Sequence, residues 1–169
     1  MDKNANTRRL SLTDLYEAAG RITLNDYVPE QVRSHFAQAL NLAVYSWYFY
    51  PFNVTAQFMG FVSVEFALKL RSGKKASFTN LIRDAVQSGW IKDDGFLIAK
   101  NREPSEKPYV ETLIDVMPRL RNKLAHGSAM MHNNSLSSLQ ICADFINQLY
   151  PPQTANQSFH AKPFDAREK

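Results

Sequence analysis

Apolar positions recur along most of this chain at the three-and-four spacing of helices, and sustained alternation of the strand type is missing. "SLTDLYEAAG" opens with a Ser or Thr N-cap and closes on Gly, which predicts a short first helix. From Pro29 to about Phe49, the residues Val32, Phe36, Leu40, Ala43, Val44 and Trp47 recur at helical spacing. Pro29 suits a first turn and Pro51 ends the segment. Between Asn53 and about Leu70, Phe58, Phe61, Val62, Phe66 and Ala67 form a broad apolar surface, followed by the basic "RSG" stop. "SFTNLIRDAVQSGWI" predicts a shorter helix, capped by Ser77 and terminated at Gly89. Another runs from about Tyr109 through "PRLRNKLAHG". The last, from about Ser135 to Tyr150, places Leu136, Leu139, Ala143, Ile146 and Leu149 on one stripe. The pattern predicts an all-α, up-and-down bundle of five to six helices. It forms one domain over residues 1–150, with its core from about 29 and a polar, Pro-rich tail at 151–169.

Two stretches depart from this regularity. "YSWYFY" is aromatic on every face and is expected in the core or against a partner. "KDDGFLIAKNREPSEKP" reads as a polar connection over 92–108, with a brief strand or turn at Phe96 to Ala99. Such a length inside a small domain singles the loop out as mobile or functional, either covering a site or packing elsewhere.

Composition narrows the function classes. The chain has 169 residues, 44% hydrophobic and 21% charged, as in an ordinary soluble domain. Its net charge of +4 permits a polyanionic partner without requiring one. A single cysteine, Cys142, excludes an internal disulfide framework and a multi-thiolate zinc site, and a small apolar filler is its expected role. The opening "MDKNANTRRL" lacks the apolar core of a secretion signal, and no apolar run is long enough to span a bilayer. A cytoplasmic protein without a membrane partner is therefore expected. No Gly-rich phosphate loop, nucleophile elbow or helical zinc-protease motif occurs, and no cofactor is expected.

The chemistry concentrates in "PRLRNKLAHG", where Arg119, Arg121, Asn122, Lys123 and His126 crowd the end of an amphipathic helix. Arg presents a permanently charged fork matched to phosphate oxygens, and His exchanges a proton near neutrality. A ribonuclease without metal needs those two functions, with the 2′-hydroxyl of its substrate as nucleophile. Asn122 can hydrogen-bond the imidazole or the phosphate, and Arg119 and Lys123 add charge that attracts RNA. Residues 122 and 126 lie on one helical face, whereas 121 and 126 are rotated apart. Joint action of Arg121 and His126 therefore requires the helix to loosen near His126, for which Gly127 is well placed, or a second subunit to bring its own copy. The plainer reading is a solvated basic helix end, favoured by the helix dipole.

Glu65 sits among Val62, Val64, Phe66 and Ala67, and a carboxylate there needs a partner. Either Lys69, four residues on, supplies it, or Arg121 does and is thereby aimed at the substrate. His132, six residues after His126, lacks the companions of a metal site. His35 is expected to be structural, and "RSGKK" a solvated basic turn.

"RNKLAHG" fits the R-N-x-x-x-H pattern and resembles the HEPN superfamily (higher eukaryotes and prokaryotes nucleotide-binding domains). The order of segments is similar too. "FVSVEFALKLRSG" comes first, then "SFTNLIRDAVQSGWI", the motif helix and a closing amphipathic helix, over roughly Val32 to Tyr150. The resemblance implies a helical bundle that dimerises around the motif, and in many members a metal-independent endoribonuclease leaving a 2′,3′-cyclic phosphate. Members act as toxins, in phage defence or in RNA processing, often beside an antitoxin encoded nearby. By that match Arg121 holds the phosphate, His126 is general acid or base, and Asn122 orients one of them. The rival readings are a non-catalytic module binding RNA, nucleotide or protein, and an interaction protein built on its aromatic helices.

Overall fold

In a computed structural model, residues 11–101, 107–127 and 135–152 are described. They form six α-helices and no strand: α1 (Leu12–Gly20), α2 (Glu30–Tyr45), α3 (Phe52–Ser72), α4 (Phe78–Gln87), α5 (Tyr109–Ala125) and α6 (Ser135–Leu149). The all-α bundle read from the periodicity is the fold.

Local chemistry sets the helix ends. Ser11 and Asp14 form a reciprocal capping box at the start of α1, and the Ser77 hydroxyl accepts the Asn80 N–H at the start of α4. Gly73 and Gly89, at φ +66° and +68°, take the left-handed conformation that stops α3 and α4. The start of α5 is capped from a distance. Pro108 offers no side chain for the task, and the Asp93 carboxylate accepts the Tyr109 and Val110 N–H groups at 2.8 and 2.9 Å.

The axis of the bundle is α3. A helix that is apolar on most sides must be covered on most sides, and α2, α4, α5 and α6 all pack against it. Its antiparallel neighbour α2 is tied to it where His35 Nδ1 lies 2.8 Å from the Ser63 hydroxyl, which itself donates to the Met59 carbonyl. His35 is thus held by structure, as the sequence suggested. On another side α6 runs parallel to α3. Ser135 donates to Asn53 near one end, Gly60 faces Leu139 and Cys142 midway, and the Tyr150 hydroxyl donates to the Ala67 carbonyl near the other. Parallel neighbours need a crossover, which the chain between Ser72 and Ser135 supplies through α4 and α5. One contiguous core results, with Phe36, Phe96, Phe145, Leu68 and Ile146 among its fully buried side chains. Each contributes roughly 1.5–3 kcal/mol by leaving water.

Two alternatives left open by the sequence are narrowed. The aromatic run does not lie in the core. Helix α2 ends at Tyr45, and of Tyr45 to Tyr50 only Ser46 is buried. A short link between antiparallel helices has too few neighbours to cover five bulky aromatic residues. The connection after α4 contains two 3₁₀ turns, Asp93–Gly95 and Ala99–Asn101, with a turn and no strand at 96–99. Its first half is anchored. Phe96 is fully buried edge-on to Tyr109 and Phe145, while the Lys92 and Leu97 N–H groups donate to Gln148 and Asp144 of α6. That burial is the reason this half packs on α5 and α6. Residues 102–106, and the tail beyond Pro152, lie outside the described residues.

Two stability changes are expected. A methyl group on Gly60 would stand 2.6 Å from Leu139 Cδ2 and 3.4 Å from Cys142 Sγ, both fully buried. Gly60→Val should therefore lower unfolding free energy by about 1–3 kcal/mol through overpacking, read from urea denaturation. Asp93→Ala leaves two N–H groups of α5 without their cap and should cost about 1–2 kcal/mol in the same assay.

Candidate functional site

The motif occupies the last two turns of α5, with Pro118 buried inside the helix one turn upstream. Pro118 cannot donate to the Ile114 carbonyl, yet the helix continues to Ala125. There it stops. His126 caps it, its N–H reaching the Asn122 carbonyl at 3.0 Å, and Gly127 turns out at φ +75°. The helix end anticipated at Gly127 is present, and it leaves the His126 side chain exposed at the rim.

Arg121 faces inward, toward α3. Its Nη2 lies 2.6 Å from Glu65 Oε2, and its Nη1 donates to Asn122 Oδ1 at 3.0 Å. The other carboxylate oxygen, Oε1, accepts from Lys69 Nζ at 2.7 Å. The two partners weighed for Glu65 are therefore both correct at once. One buried carboxylate holds two cations from two helices, one oxygen each. The guanidinium is 31% exposed and the ammonium 47%, while the Glu65 side chain is only 11% exposed. Two positive charges against one negative leave the cluster with a net charge of +1, half open to solvent. Such a site suits a monoanion such as a phosphodiester. Arg121 Nε is buried and has no hydrogen-bond partner among the described residues. The plane of the fork is therefore set by its two Nη contacts.

The structure brings Arg121, Asn122 and Glu65 together and recruits Lys69. Asn122 orients the arginine and does not reach the histidine. The His126 imidazole makes no hydrogen bond or ion pair with any described residue. Arg119 and Lys123 are exposed on the same helix. Sequence reasoning treated Lys69 and Arg121 as rivals because helical spacing reports only the neighbour at i+4. The second partner, 56 residues away in the chain, is a matter of packing.

Other reactive side chains are set for structure. The Cys142 thiol is fully buried, and burial together with the Asp144 charge pushes its pKa far up, so it is no nucleophile. Burial raises the Tyr150 phenol to about 12, with Arg71 opposing, so it stays neutral as a donor to Ala67. Arg71 stacks over Trp90 and Lys74 pairs with Asp84, which anchors part of the basic turn after α3. Among the described residues no group of three or more His, Cys, Asp or Glu could hold a metal, and His132 lies outside them. No helix among the described residues is long and apolar enough to cross a membrane. Compared with known protein families, curated proteins and solved structures, the chain matches none.

Sharing of Glu65 has a measurable signature. The Arg121 contact is the less exposed of the two, and hydrogen bonds to charged groups are worth about 1.5–3 kcal/mol, against at most about 1 for an exposed i,i+4 pair. Double-mutant cycles read from urea denaturation should give a larger coupling for Glu65 with Arg121 than for Glu65 with Lys69. Equal couplings would mean that the interhelical contact adds nothing beyond a surface pair.

Proposed function

We propose that this protein is a metal-independent endoribonuclease of the HEPN type. The observation that carries the reading is the Arg121 guanidinium, braced by Glu65 and Asn122 at a half-open cationic site, on a helix that ends at the exposed His126. In this reading the RNA 2′-oxygen attacks the adjacent phosphorus and the bond from phosphorus to O5′ breaks. The products are a 2′,3′-cyclic phosphate and a 5′-hydroxyl. Arg121 binds the phosphate and offsets charge that builds on its oxygens, aided by Lys69. His126 takes the proton from the 2′-hydroxyl or gives one to O5′. Arg119 and Lys123 steer the strand through its backbone charge. Glu65 touches no substrate and acts through Arg121 as a positioning residue. A homodimer at the motif, an antitoxin-like protein partner and a cytoplasmic location belong to the same reading.

A second reading, a module that binds RNA, nucleotide or protein without cutting, is favoured by one observation: nothing within the described chain orients the His126 imidazole.

RNA cleavage in excess EDTA decides between them. The wild type is expected to cut and to leave a cyclic phosphate. Arg121→Ala should lose about 100–1,000-fold in rate, as when a preorganised oxyanion donor is removed. His126→Ala should lose about 100–10,000-fold, the range for general acid–base groups. Glu65→Gln should lower the rate without abolishing binding. RNA binding that weakens steeply with salt, with no cleavage by any form, would establish the second reading instead.

A further inference from the structure

The chain leaves the described bundle beside the connection between α1 and α2. The Asn147 side chain, near the end of α6, donates to the Thr23 carbonyl at 3.0 Å and accepts the Asn25 N–H at 2.8 Å. The Asn25 amide donates in turn to the Tyr150 carbonyl at 3.0 Å, two residues before Pro152. On either side of that connection, α1 and α2 form the walls of a groove of about 580 Å³. The lining residues nearest the connection along each helix are Gly20 and Ala37, and Tyr45 and Tyr48 lie farthest along the second wall. Tyr16, Tyr45 and Tyr48 are exposed to 69, 57 and 71%, so three large rings in a concave site face water. The volume is that of an ordinary ligand pocket, about 300–1,000 Å³, and none of its lining residues is charged.

Chemistry and reach identify the occupant. Stacking platforms for single-stranded nucleic acid combine aromatics with a cationic groove, and a lining without Lys or Arg offers none. An apolar segment fits it. Residues 153–169 carry two large apolar side chains, Phe159 and Phe164. The seven residues from Pro152 to Phe159 reach at most about 25 Å when fully extended. Ala37 stands only about 10 Å along α2 from Glu30. Five further residues to Phe164 extend at most about 18 Å, against about 12 Å along α2 from Ala37 to Tyr45. The two rings are therefore spaced to meet both ends of the groove. A short tether holds such a segment at an effective concentration on the order of millimolar, so two aromatic contacts suffice where a free peptide would need more.

We propose that residues 153–169 bind in cis along the groove between α1 and α2, with Phe159 toward Ala37 and Phe164 among Tyr16, Tyr45 and Tyr48. Bound there, the segment takes those three tyrosines out of water. Arg121, Asn122 and His126 do not line the groove, so the inference stands apart from the ribonuclease reading.

The test is paramagnetic broadening in the full chain, with a nitroxide on Ala161→Cys between the two phenylalanines. The native Cys142 thiol is fully buried and its pKa is pushed far up, so the label goes to residue 161 alone. The amides of Tyr16, Ala37 and Asn41 are expected to lose most of their NMR intensity, while those of α4, which packs on α3 and α5, keep theirs. Phe159→Ser combined with Phe164→Ser should restore the lost intensity without changing the far-UV circular dichroism, since neither position belongs to the described core. Tyr48→Lys, which puts a charge at the most exposed of the three tyrosines, should restore it too. An isotope-labelled chain without nitroxide, mixed with an unlabelled chain that carries it, should show no broadening. Full intensity at the groove of the nitroxide-bearing chain would overturn the proposal. So would broadening that survives either change. Broadening in the mixed sample would assign the groove to a segment of another chain and overturn binding in cis.

Discussion

A carboxylate on an apolar helix must be compensated where it stands, and Glu65 on α3 imposes that demand on its surroundings. Desolvating an unpaired charge costs several kcal/mol, more than most single packing contacts contribute. Lys69, on the same helix, meets half of the demand. The other half requires a cation from outside α3, and Arg121 meets it from α5 at 2.6 Å. The contact that satisfies Glu65 also sets the position of α5 against the central helix. It turns the guanidinium inward, where Asn122 holds its other edge. The helix then has room to end, at His126 and Gly127, where those residues meet solvent.

Neighbouring features follow the same logic of compensation across distance. The start of α5 has no cap of its own, and Asp93 supplies one from a turn pinned by Phe96 in the core and by Gln148 and Asp144 on α6. The motif helix is thus fixed at its first turn by a carboxylate from the connecting loop and near its last by a carboxylate from α3. A residue that acts on a phosphate gains from such fixation, because a preorganised donor need not be reordered when the substrate arrives. His126 lacks any comparable support, and the two halves of the proposed site differ in that respect.

The aromatic run shows how burial depends on partners as much as on side-chain type. Its hydrophobicity suggested the core or a partner's surface, and a link between two antiparallel helices has little covering it from the same chain. The aromatic area remains facing water until something else covers it. Among the described residues, a groove between α1 and α2, lined by Tyr16, Tyr45 and Tyr48, extends it.

Much of the architecture was legible before any coordinates. Helical periodicity, a Ser or Thr cap at the start of α1, the cap at Ser77, and the stops at Gly73, Gly89 and Gly127 are local signals. They act within one or two turns, so the linear order of residues carries them in full. The crowding of Arg121, Asn122 and His126 at a helix end was visible for the same reason. What the chain order could not settle was every choice made across tens of residues. Those choices include the sharing of Glu65 between Lys69 and Arg121, the capping of α5 by Asp93, the burial of Phe96 and the exposure of the aromatic turn. Each is decided by which surfaces meet when the helices pack. Packing depends on the shape and charge of all of them together, a quantity that no local spacing contains.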